Sequence, residues 1–304
     1  MTRRRLWLAV RVLVTLGAVA WVASRISVED AVAAFRAAPA WVFAVPPVLM
    51  LGNACLHALR LQLLFRALGD GLSFGQCLAA LLKSSFIGLV LPTGGGEVAK
   101  VGFLSRHTAV DRAAVVLTAS RMQDLLPWAG FLVYGLLWGL LAHDRVLGLA
   151  AAVFATAFLV VPLSAWWIAA RPMKPPWAWL EKPVRAVRVL RGQTGTLAVT
   201  GILALPFAFV NAACAWIVIE AHGVSMPVVD ALALIPAADT LISLPITVAG
   251  VGVREGVFVR LLGPYGALEA TAVAVGLTRW LGELTRASIG AVLWLASDRR
   301  GGPP

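Results

Sequence analysis

The chain has 304 residues, of which 60% are hydrophobic and only 13% are charged. Soluble globular domains carry about 45–50% apolar and about 25% charged residues. The composition therefore excludes an ordinary soluble domain and favours an all-α polytopic membrane protein. Lys and Arg total 26 against 15 Asp and Glu, a net charge of +11. Because this excess lies beside apolar stretches, it indicates orientation in a membrane and argues against nucleic-acid binding.

Six apolar stretches reach or approach the length of about 20 residues that a membrane-spanning helix needs. In chain order they are residues 6–24, 40–59, 113–141, 146–170, 196–220 and 267–297. We expect each to cross the membrane once. The longest polar stretch, 171–195, is too short to build a core of its own. We therefore expect a single transmembrane domain over residues 1–304.

Two further apolar regions break at proline and glycine. Residues 73–92 run into the string LPTGGGE at 91–97, and residues 228–248 run through LPITVAGVGVRE at 244–255. Proline and glycine interrupt helices, and the second legs that follow are too short to cross a bilayer. Each region is either a full span with an interfacial helix or a re-entrant hairpin that enters and leaves on one side.

The positions of the basic residues decide between these alternatives. If both regions are re-entrant and the arginine-rich N-terminus is cytoplasmic, every strongly basic loop is also cytoplasmic, as the positive-inside rule requires. The loop 171–195, with six basic residues and one acid, would otherwise lie outside. We therefore predict six full spans and two re-entrant hairpins in a bacterial-type inner membrane, with both termini in the cytoplasm.

Three pairs of polar landmarks indicate an internal repeat. They are Asn53 and Asn211, Glu97 and Glu255, and Arg121 and Arg279, and each pair is separated by 158 positions. The predicted halves are 40–141 and 196–297, linked by the span 146–170 and the basic loop 171–195. Because three spans lie between equivalent positions, the second half should be inverted, as in many secondary transporters.

Four charged residues fall inside predicted spans, namely Arg121, Asp124, Arg279 and Glu283. Each would cost about 2.5–3.5 kcal/mol at the centre of a lipid-facing helix, so we expect them to face the bundle interior. The spacing allows an ion pair within each helix, between Arg121 and Asp124 and between Arg279 and Glu283. These charges either fasten the hairpins to the spans or form a path for an anionic substrate.

Glu97 and Glu255 each follow a glycine-rich break at the start of a short helix. A helix start offers free N–H groups and a partial positive charge, which suit an anion. Each carboxylate can cap that helix, pair with Arg121 or Arg279, or carry a coupling proton.

No convincing catalytic or metal-binding pattern is present. The cysteines Cys55, Cys77 and Cys214 lie in apolar segments without CxxC spacing, and the histidines form no HExxH string. Such cysteines are typical packing residues. We expect a protein that is not an enzyme and that holds no metal and no cofactor.

At these residues the chain resembles the lysylphosphatidylglycerol synthase transmembrane-region family, also called the flippase-like domain family. The resemblance covers essentially the whole chain and is carried by Leu91-Pro92 leading to Glu97, by RMQD at 121–124, and by GVGVRE at 250–255 followed by Arg279. It implies that Glu97, Arg121, Arg254, Glu255 and Arg279 belong to a central polar site, and that the protein translocates lipid. No synthase domain follows, so we expect a stand-alone member without aminoacylation activity.

Together these features predict a transporter that moves a lipid with a phosphate-containing or polyprenyl-linked headgroup. The expected substrate residues are Asn53, Glu97, Arg121, Asp124, Asn211, Arg254, Glu255, Arg279 and Glu283. Anionic lipid headgroups are the expected partners of the basic loop 171–195. Two alternatives remain: a scaffold subunit that holds a lipid-modifying enzyme, and a membrane transferase that acts on lipid-linked substrates.

Overall fold

The computed structural model describes residues 27–90, 95–142, 145–171, 174–243 and 252–298. Over these residues the chain forms helices and turns without β-strands, which confirms the all-α prediction. The predicted first span, 6–24, and the glycine-containing segments 91–94 and 244–251 lie outside the described residues.

The helices follow the predicted apolar stretches. They are α1 (Val28–Ala37), α2 (Val45–Ala67), α3 (Phe74–Val90), α4 (Gly95–Leu104), α5 (Val110–Ala142), α6 (Arg145–Ala169), α7 (Glu181–Leu190), α8 (Thr194–Ile202), α9 (Ala204–Ala221), α10 (Val228–Ser243), α11 (Val253–Leu262) and α12 (Glu269–Asp298). Short 3₁₀ turns lie at Ala40–Phe43, Ala178–Leu180 and Gly263–Tyr265. The basic loop 171–195 is thus partly helical, because α7 lies within it.

Two segments are both long and apolar enough to cross a membrane, Ala40–Ala67 and Thr194–Ala221, with 28 residues each. Helices α5, α6 and α12 have 33, 25 and 30 residues. At 1.5 Å per residue, each is also long enough for a bilayer core of about 30 Å. The segment Ala40–Ala67 ends eight positions later than the predicted span 40–59. Arg60 therefore lies inside a helix and not in a loop.

The outer surface of the bundle is apolar. Val153, Val160 and Leu163 on α6 and Val292 and Leu295 on α12 are each at least half exposed. Soluble proteins rarely expose contiguous apolar patches larger than a few hundred Å². This exterior suits contact with lipid chains.

Glycines on α12 let neighbouring helices approach closely. A Cβ atom on Gly282 would lie 2.8 Å from the carbonyl oxygen of Pro46 on α2, and one on Gly290 would overlap the carbonyl of Leu82 on α3. Close packing at small residues replaces the hydrophobic effect as the force that holds helices together in lipid. Helix α12 is thereby packed closely against α2 and α3.

Helices α3 and α4 form the first hairpin, in which α4 folds back along α3. A Cβ atom on Gly96 would lie 2.9 Å from the carbonyl oxygen of Ser84, so only glycine allows this approach. At the open end, Thr108 Oγ1 and Arg112 Nη1 each donate to Asp70 at 2.7 Å. The residues just before α3 and just after α4 are thus joined to each other.

Helices α10 and α11 pack against each other and form the second hairpin. Its open end is joined by the Tyr265 hydroxyl, which donates to Asp230 Oδ2 at 2.9 Å. The short legs α4 and α11 have 10 residues each and begin 158 positions apart. The long leg of each hairpin also packs against the long helix of the other half, α3 against α12 and α10 against α5.

The two hairpins open at opposite ends of α2. One apolar cluster joins Val42, just before α2, to the open end of the second hairpin at Ala231 and Leu262. The other joins Phe65, near the end of α2, to the open end of the first hairpin at Cys77 and Leu104. Helix α2 has 23 residues, which corresponds to about 35 Å. The space between the clusters is the middle of the bundle.

Candidate functional site

A cavity of about 670 Å³ lies in this central region, between the two hairpins. Small-molecule binding sites are clefts of about 300–1,000 Å³. Among the described residues, its cationic lining consists of Lys100, Arg121, Arg254, Arg279 and Arg286. Its acidic lining consists of Glu97, Asp124, Asp239 and Glu283. Such a concentration of charge inside an otherwise apolar helical bundle makes this cavity the candidate functional site.

Eight of the nine residues predicted for the site line this cavity, including both asparagines. The ninth, Glu255, lies elsewhere: its side chain accepts a hydrogen bond of 2.6 Å from the backbone N–H of Gly252 and is buried. Gly252 adopts a positive φ of 83°, which glycine tolerates best. The sequence left three roles open for Glu255: a helix cap, an arginine partner or a proton carrier. In the structure its side chain caps α11.

Glu97 is an acidic residue of the first hairpin, and it lines the cavity. It occupies the first turn of α4 and contacts Lys100 Nζ at 3.1 Å and the Arg121 guanidinium on α5. The side chains of Glu97 and Arg121 remain 46% and 54% exposed, so both are accessible from the cavity. One carboxylate is thus shared by two cations, which leaves this part of the cavity positive.

Asp124 pairs with Arg60 on α2, not with Arg121 as its spacing suggested. Arg60 is fully buried, and its Nη1 donates to Asp124 Oδ1 at 2.5 Å while its Nε donates to the Thr200 carbonyl at 3.1 Å. A desolvated arginine needs several acceptors, and here they come from α5 and α8. The contacts tie three helices together, which explains why α2 continues past residue 59.

Arg279 pairs with Asp239 on α10, and the ion pair with Glu283 that the spacing allows is not formed. Both guanidinium Nη atoms contact the Asp239 carboxylate, with Nη2–Oδ2 at 2.6 Å. The two side chains are only 15% and 18% exposed. A bidentate pair on neighbouring helices has better geometry than neighbours on one helix surface. Glu283 instead accepts a 2.8 Å hydrogen bond from Arg286.

Arg254 differs from the other cavity cations because it has no salt bridge to a carboxylate among the described residues. Its guanidinium carbon lies 5.3 Å from the centre of the Trp280 ring, in cation–π range. Its Nη1 atom is buried and has no hydrogen-bond partner within the described part of the chain. Its stem packs beside Gly276, where a Cβ would lie at ordinary contact distance, 3.5 Å from Arg254 Cγ.

The charges around the cavity do not cancel. Five cations and four acids form the described lining. Behind it lie one further cation, Arg60, and one further acid, Glu255, both of which are buried. Cations therefore exceed acids by one. Charge in a site of low dielectric is costly unless it is compensated, so this arrangement is suited to binding an anionic group.

The model of the lysylphosphatidylglycerol synthase TM region family matches residues 8–281. The chain belongs to this family. The family is a membrane domain associated with lipid handling, and the protein is accordingly a membrane protein. A comparison with curated proteins and a comparison with solved structures find no match.

Several cavity residues of this family member were not predicted from the sequence. They are His57, Asp239 and Arg286, together with Arg60 behind the lining. Each of the charged ones interrupts an apolar helix, which is the signal that could have identified them. Lys100, a weaker candidate in the sequence, also lines the cavity and contacts Glu97. No group of three or more His, Cys, Asp or Glu side chains is placed to hold a metal ion in the described ranges.

Proposed function

We propose that this protein is a lipid transporter that moves a polar-headgroup lipid across the inner membrane. The headgroup would pass through the central cavity while the acyl chains remain in the surrounding lipid. The observation that carries the proposal is a cavity with excess positive charge inside a bundle with an apolar exterior. A headgroup that contains phosphate would supply the missing negative charge. The cationic side chains of the cavity would donate hydrogen bonds to the phosphate, which the hydrocarbon core of a bilayer cannot do.

The architecture that fits this role has six spans and two re-entrant hairpins arranged as inverted repeats. Three features support it: the joined open ends of each hairpin, the 158-residue offset between α4 and α11, and the packing of each hairpin against the other half. Broken helices that meet near the membrane midplane at a repeat interface are typical of transporter binding sites.

The end of the bundle that carries α7 is proposed to face the cytoplasm. Helix α7 buries Val184, Ala186 and Leu190 against the bundle and carries exposed basic residues on its other face. By the positive-inside rule, this side remains in the cytoplasm. Exposed Lys174, Lys182 and Arg191 in this segment would contact anionic headgroups of the inner leaflet, at about 1 kcal/mol each.

The ion pairs of the cavity would divide into two kinds. Arg60–Asp124 and Arg279–Asp239 are shielded and join neighbouring helices, so they hold the bundle together. Arg121–Glu97 is accessible from the cavity. Arg121 can therefore exchange Glu97 for a phosphate, and the return of Glu97 would help release the headgroup. Arg254 would bind the phosphate directly, because no carboxylate among the described residues forms a salt bridge with it.

Reconstitution into liposomes tests the proposal. Labelled lipids with anionic, zwitterionic and cationic headgroups are followed across the bilayer with the wild-type protein and with Arg254→Gln. The variant should slow movement by about tenfold or more, since a hydrogen bond to a charged group contributes about 1.5–3 kcal/mol. Arg112→Gln is the matched control, because Arg112 pairs with Asp70 at the bundle end, outside the cavity.

Folded protein that moves none of these lipids would contradict the transport proposal. Lipid analysis of the same vesicles by mass spectrometry separates the transferase alternative, which requires a covalently changed lipid. The scaffold alternative predicts sensitivity to charge reversal on α7 together with indifference to Arg254→Gln.

A further inference from the structure

The imidazole of His57 on α2 lines the cavity and, among the described residues, belongs to none of its ion pairs. The residue is 8% exposed, and its ring packs edge-on against Phe207 with the ring centres 5.4 Å apart. Its Nε2 atom lies 3.3 Å from the hydroxyl of Ser120 on α5. Its Nδ1 atom has no hydrogen bond in the described part of the chain and is not one of the fully enclosed polar atoms there. Nδ1 is therefore the atom that this side chain can offer to a ligand.

The Ser120 hydroxyl decides which ring nitrogen carries the proton. Hydroxyls on helices commonly donate to a carbonyl one turn back, as Thr118 on the same helix donates to Ala114 at 2.7 Å. Within the described ranges Ser120 Oγ has no such carbonyl contact, and His57 Nε2 is the acceptor that it reaches. A ring nitrogen that accepts a hydrogen bond carries no proton, so the neutral ring holds its proton on Nδ1. Nδ1 is thus a hydrogen-bond donor.

The second half of the chain contains a pair of the same kind. Thr278 lies 158 positions after Ser120, and its hydroxyl is 3.4 Å from His222 Nε2. The Nδ1 atom of His222 lies 2.8 Å from the Val218 carbonyl, which can only accept, so this ring also carries its proton on Nδ1. The two pairs differ in the use of that donor. In His222 a carbonyl of α9 occupies it, away from the described lining, whereas in His57 it remains available at the cavity.

The charges around His57 also favour an uncharged ring. The cations that act on it electrostatically are Lys100, Arg121, Arg60 and Arg286. An imidazolium would add another cation to a lining that already has more cations than acids. An uncharged N–H adds a directional donor beside Lys100 and Arg121 without adding charge. The acceptor that suits this group of donors is an anionic oxygen.

We propose that His57 binds the transported headgroup as an uncharged donor, with its Nδ1–H donating to an anionic oxygen of the headgroup. Ser120 is a positioning residue, because it holds the tautomer of the ring while being 1% exposed and outside the described lining. This inference rests on the proposed transport function and adds a binding residue to the same site. The donor orients the headgroup without adding a charge that would retain the anion.

Replacing His57 by phenylalanine removes the donor and keeps a ring that can pack on Phe207. In liposomes, His57→Phe should move the anionic lipid that the wild-type protein moves fastest about tenfold more slowly per folded molecule. His57→Asn, whose amide N–H can occupy the position of Nδ1, should retain most of the rate. His222→Phe is the matched control, because it breaks the corresponding pair outside the described lining. That variant should keep the wild-type rate.

Nitrogen NMR of protein isotopically labelled at histidine tests the tautomer independently of transport. The chain has four histidines, and the His57 signals are those absent from the variants at this position. They should show a protonated Nδ1 and an unprotonated Nε2, and the Nδ1 signal should shift when the anionic lipid is added. Ser120→Ala should give a mixture of the two neutral tautomers and a slower rate. Ser120→Thr, which introduces the residue type of Thr278, should restore the wild-type tautomer.

A protonated Nε2 or a charged ring in the wild-type protein would overturn the proposal. So would an unchanged rate in His57→Phe, or equal slowing in His57→Phe and His222→Phe, since both histidines would then act through packing alone. If His57→Phe fails to fold, an Nδ1 signal that does not respond to the added lipid overturns the proposal. Wild-type protein that moves no lipid would instead refute the transport function, whereas the response of Nδ1 still decides whether His57 binds the headgroup.

Discussion

Arg279 on α12 binds Asp239 on α10 with both guanidinium Nη atoms, although Glu283 lies one turn away on the same helix. The pair joins the second hairpin to the long helix that lines the cavity. Burial removes the hydration of the Arg279 guanidinium, and hydrogen bonds must replace it. The shielded Asp239 carboxylate replaces it with two contacts, whereas the exposed Glu283 does not. The contact therefore couples the position of the second hairpin to that of the cavity wall.

Asp239→Asn should destabilise the protein by about 3–5 kcal/mol, because it leaves a largely buried arginine uncompensated. Glu283→Gln changes an acid whose side chain is 52% exposed and is paired with Arg286, and it should alter stability by no more than about 0.5–1 kcal/mol. Thermal unfolding in detergent compares the two variants. Equal losses of stability would show that the α10–α12 pair has no special structural role.

Much of this arrangement followed from the sequence, for a physical reason. Charged side chains cannot face lipid without a large cost, so Glu97, Arg121 and Arg279 had to point inwards, and the cavity is where they meet. Their partners could not be predicted in the same way. Spacing along one helix identifies only local neighbours, whereas the actual partners Arg60 and Asp239 come from other helices.

Helix ends were also harder to predict than helix centres. An apolar window stops at the first charge, and this placed Arg60 in a loop. In the structure Arg60 is buried and held by α5 and α8, contacts that no local pattern contains. The division of roles between Glu97 and Glu255 was likewise open, since both sit at the same position of equivalent short helices.

Replacing Glu97 or Glu255 by alanine should have different effects on transport rate and on stability. Glu97→Ala leaves Arg121 and Lys100 without their shared acid. The anionic headgroup should then bind more tightly and leave more slowly, lowering the transport rate about tenfold or more. Glu255→Ala removes a helix cap and should cost about 0.5–2 kcal/mol of stability with little change in the rate per folded molecule.

Transport rates normalised to folded protein, together with thermal unfolding, separate these effects. Loss of transport in Glu255→Ala at unchanged stability would contradict the assignment of this residue as a cap. A normal rate in Glu97→Ala would remove Glu97 from the proposed exchange with phosphate.

Two glycines of α4 offer a matched test of the first hairpin. Gly96→Ala places a Cβ 2.9 Å from the Ser84 carbonyl oxygen and 3.1 Å from Gly88 Cα, both of which are backbone atoms that cannot move alone. Overpacking of this kind costs about 1–3 kcal/mol. Gly102→Ala meets no atom within 4 Å and should stabilise the helix by up to about 1 kcal/mol.

Thermal unfolding of the two variants, and lipid movement by Gly96→Ala, check this packing. Because Glu97 follows Gly96 directly, a displaced α4 should also slow transport. Equal stability of the two variants would contradict the close approach of α4 to α3.

The Tyr265–Asp230 bond predicts a dependence of stability on alkaline pH. Burial, together with the hydrogen bond to Asp230, raises the pKa of Tyr265 above its ordinary value. Since folding favours the neutral phenol, its contribution is complete below pH of about 10, where the unfolded tyrosine is also neutral. Above that pH the unfolded tyrosine ionises first, and stability falls as pH rises.

Tyr265→Phe should therefore lose about 0.5–1.5 kcal/mol at neutral pH through the missing hydrogen bond. It should also show a weaker fall in stability than the wild type between pH 9 and 11, because it has no phenol to ionise at this position. Unfolding by denaturant across this range measures the difference between the two proteins. Parallel curves would mean that the hydroxyl is not held by Asp230, and that the open end of the second hairpin is closed by apolar packing alone.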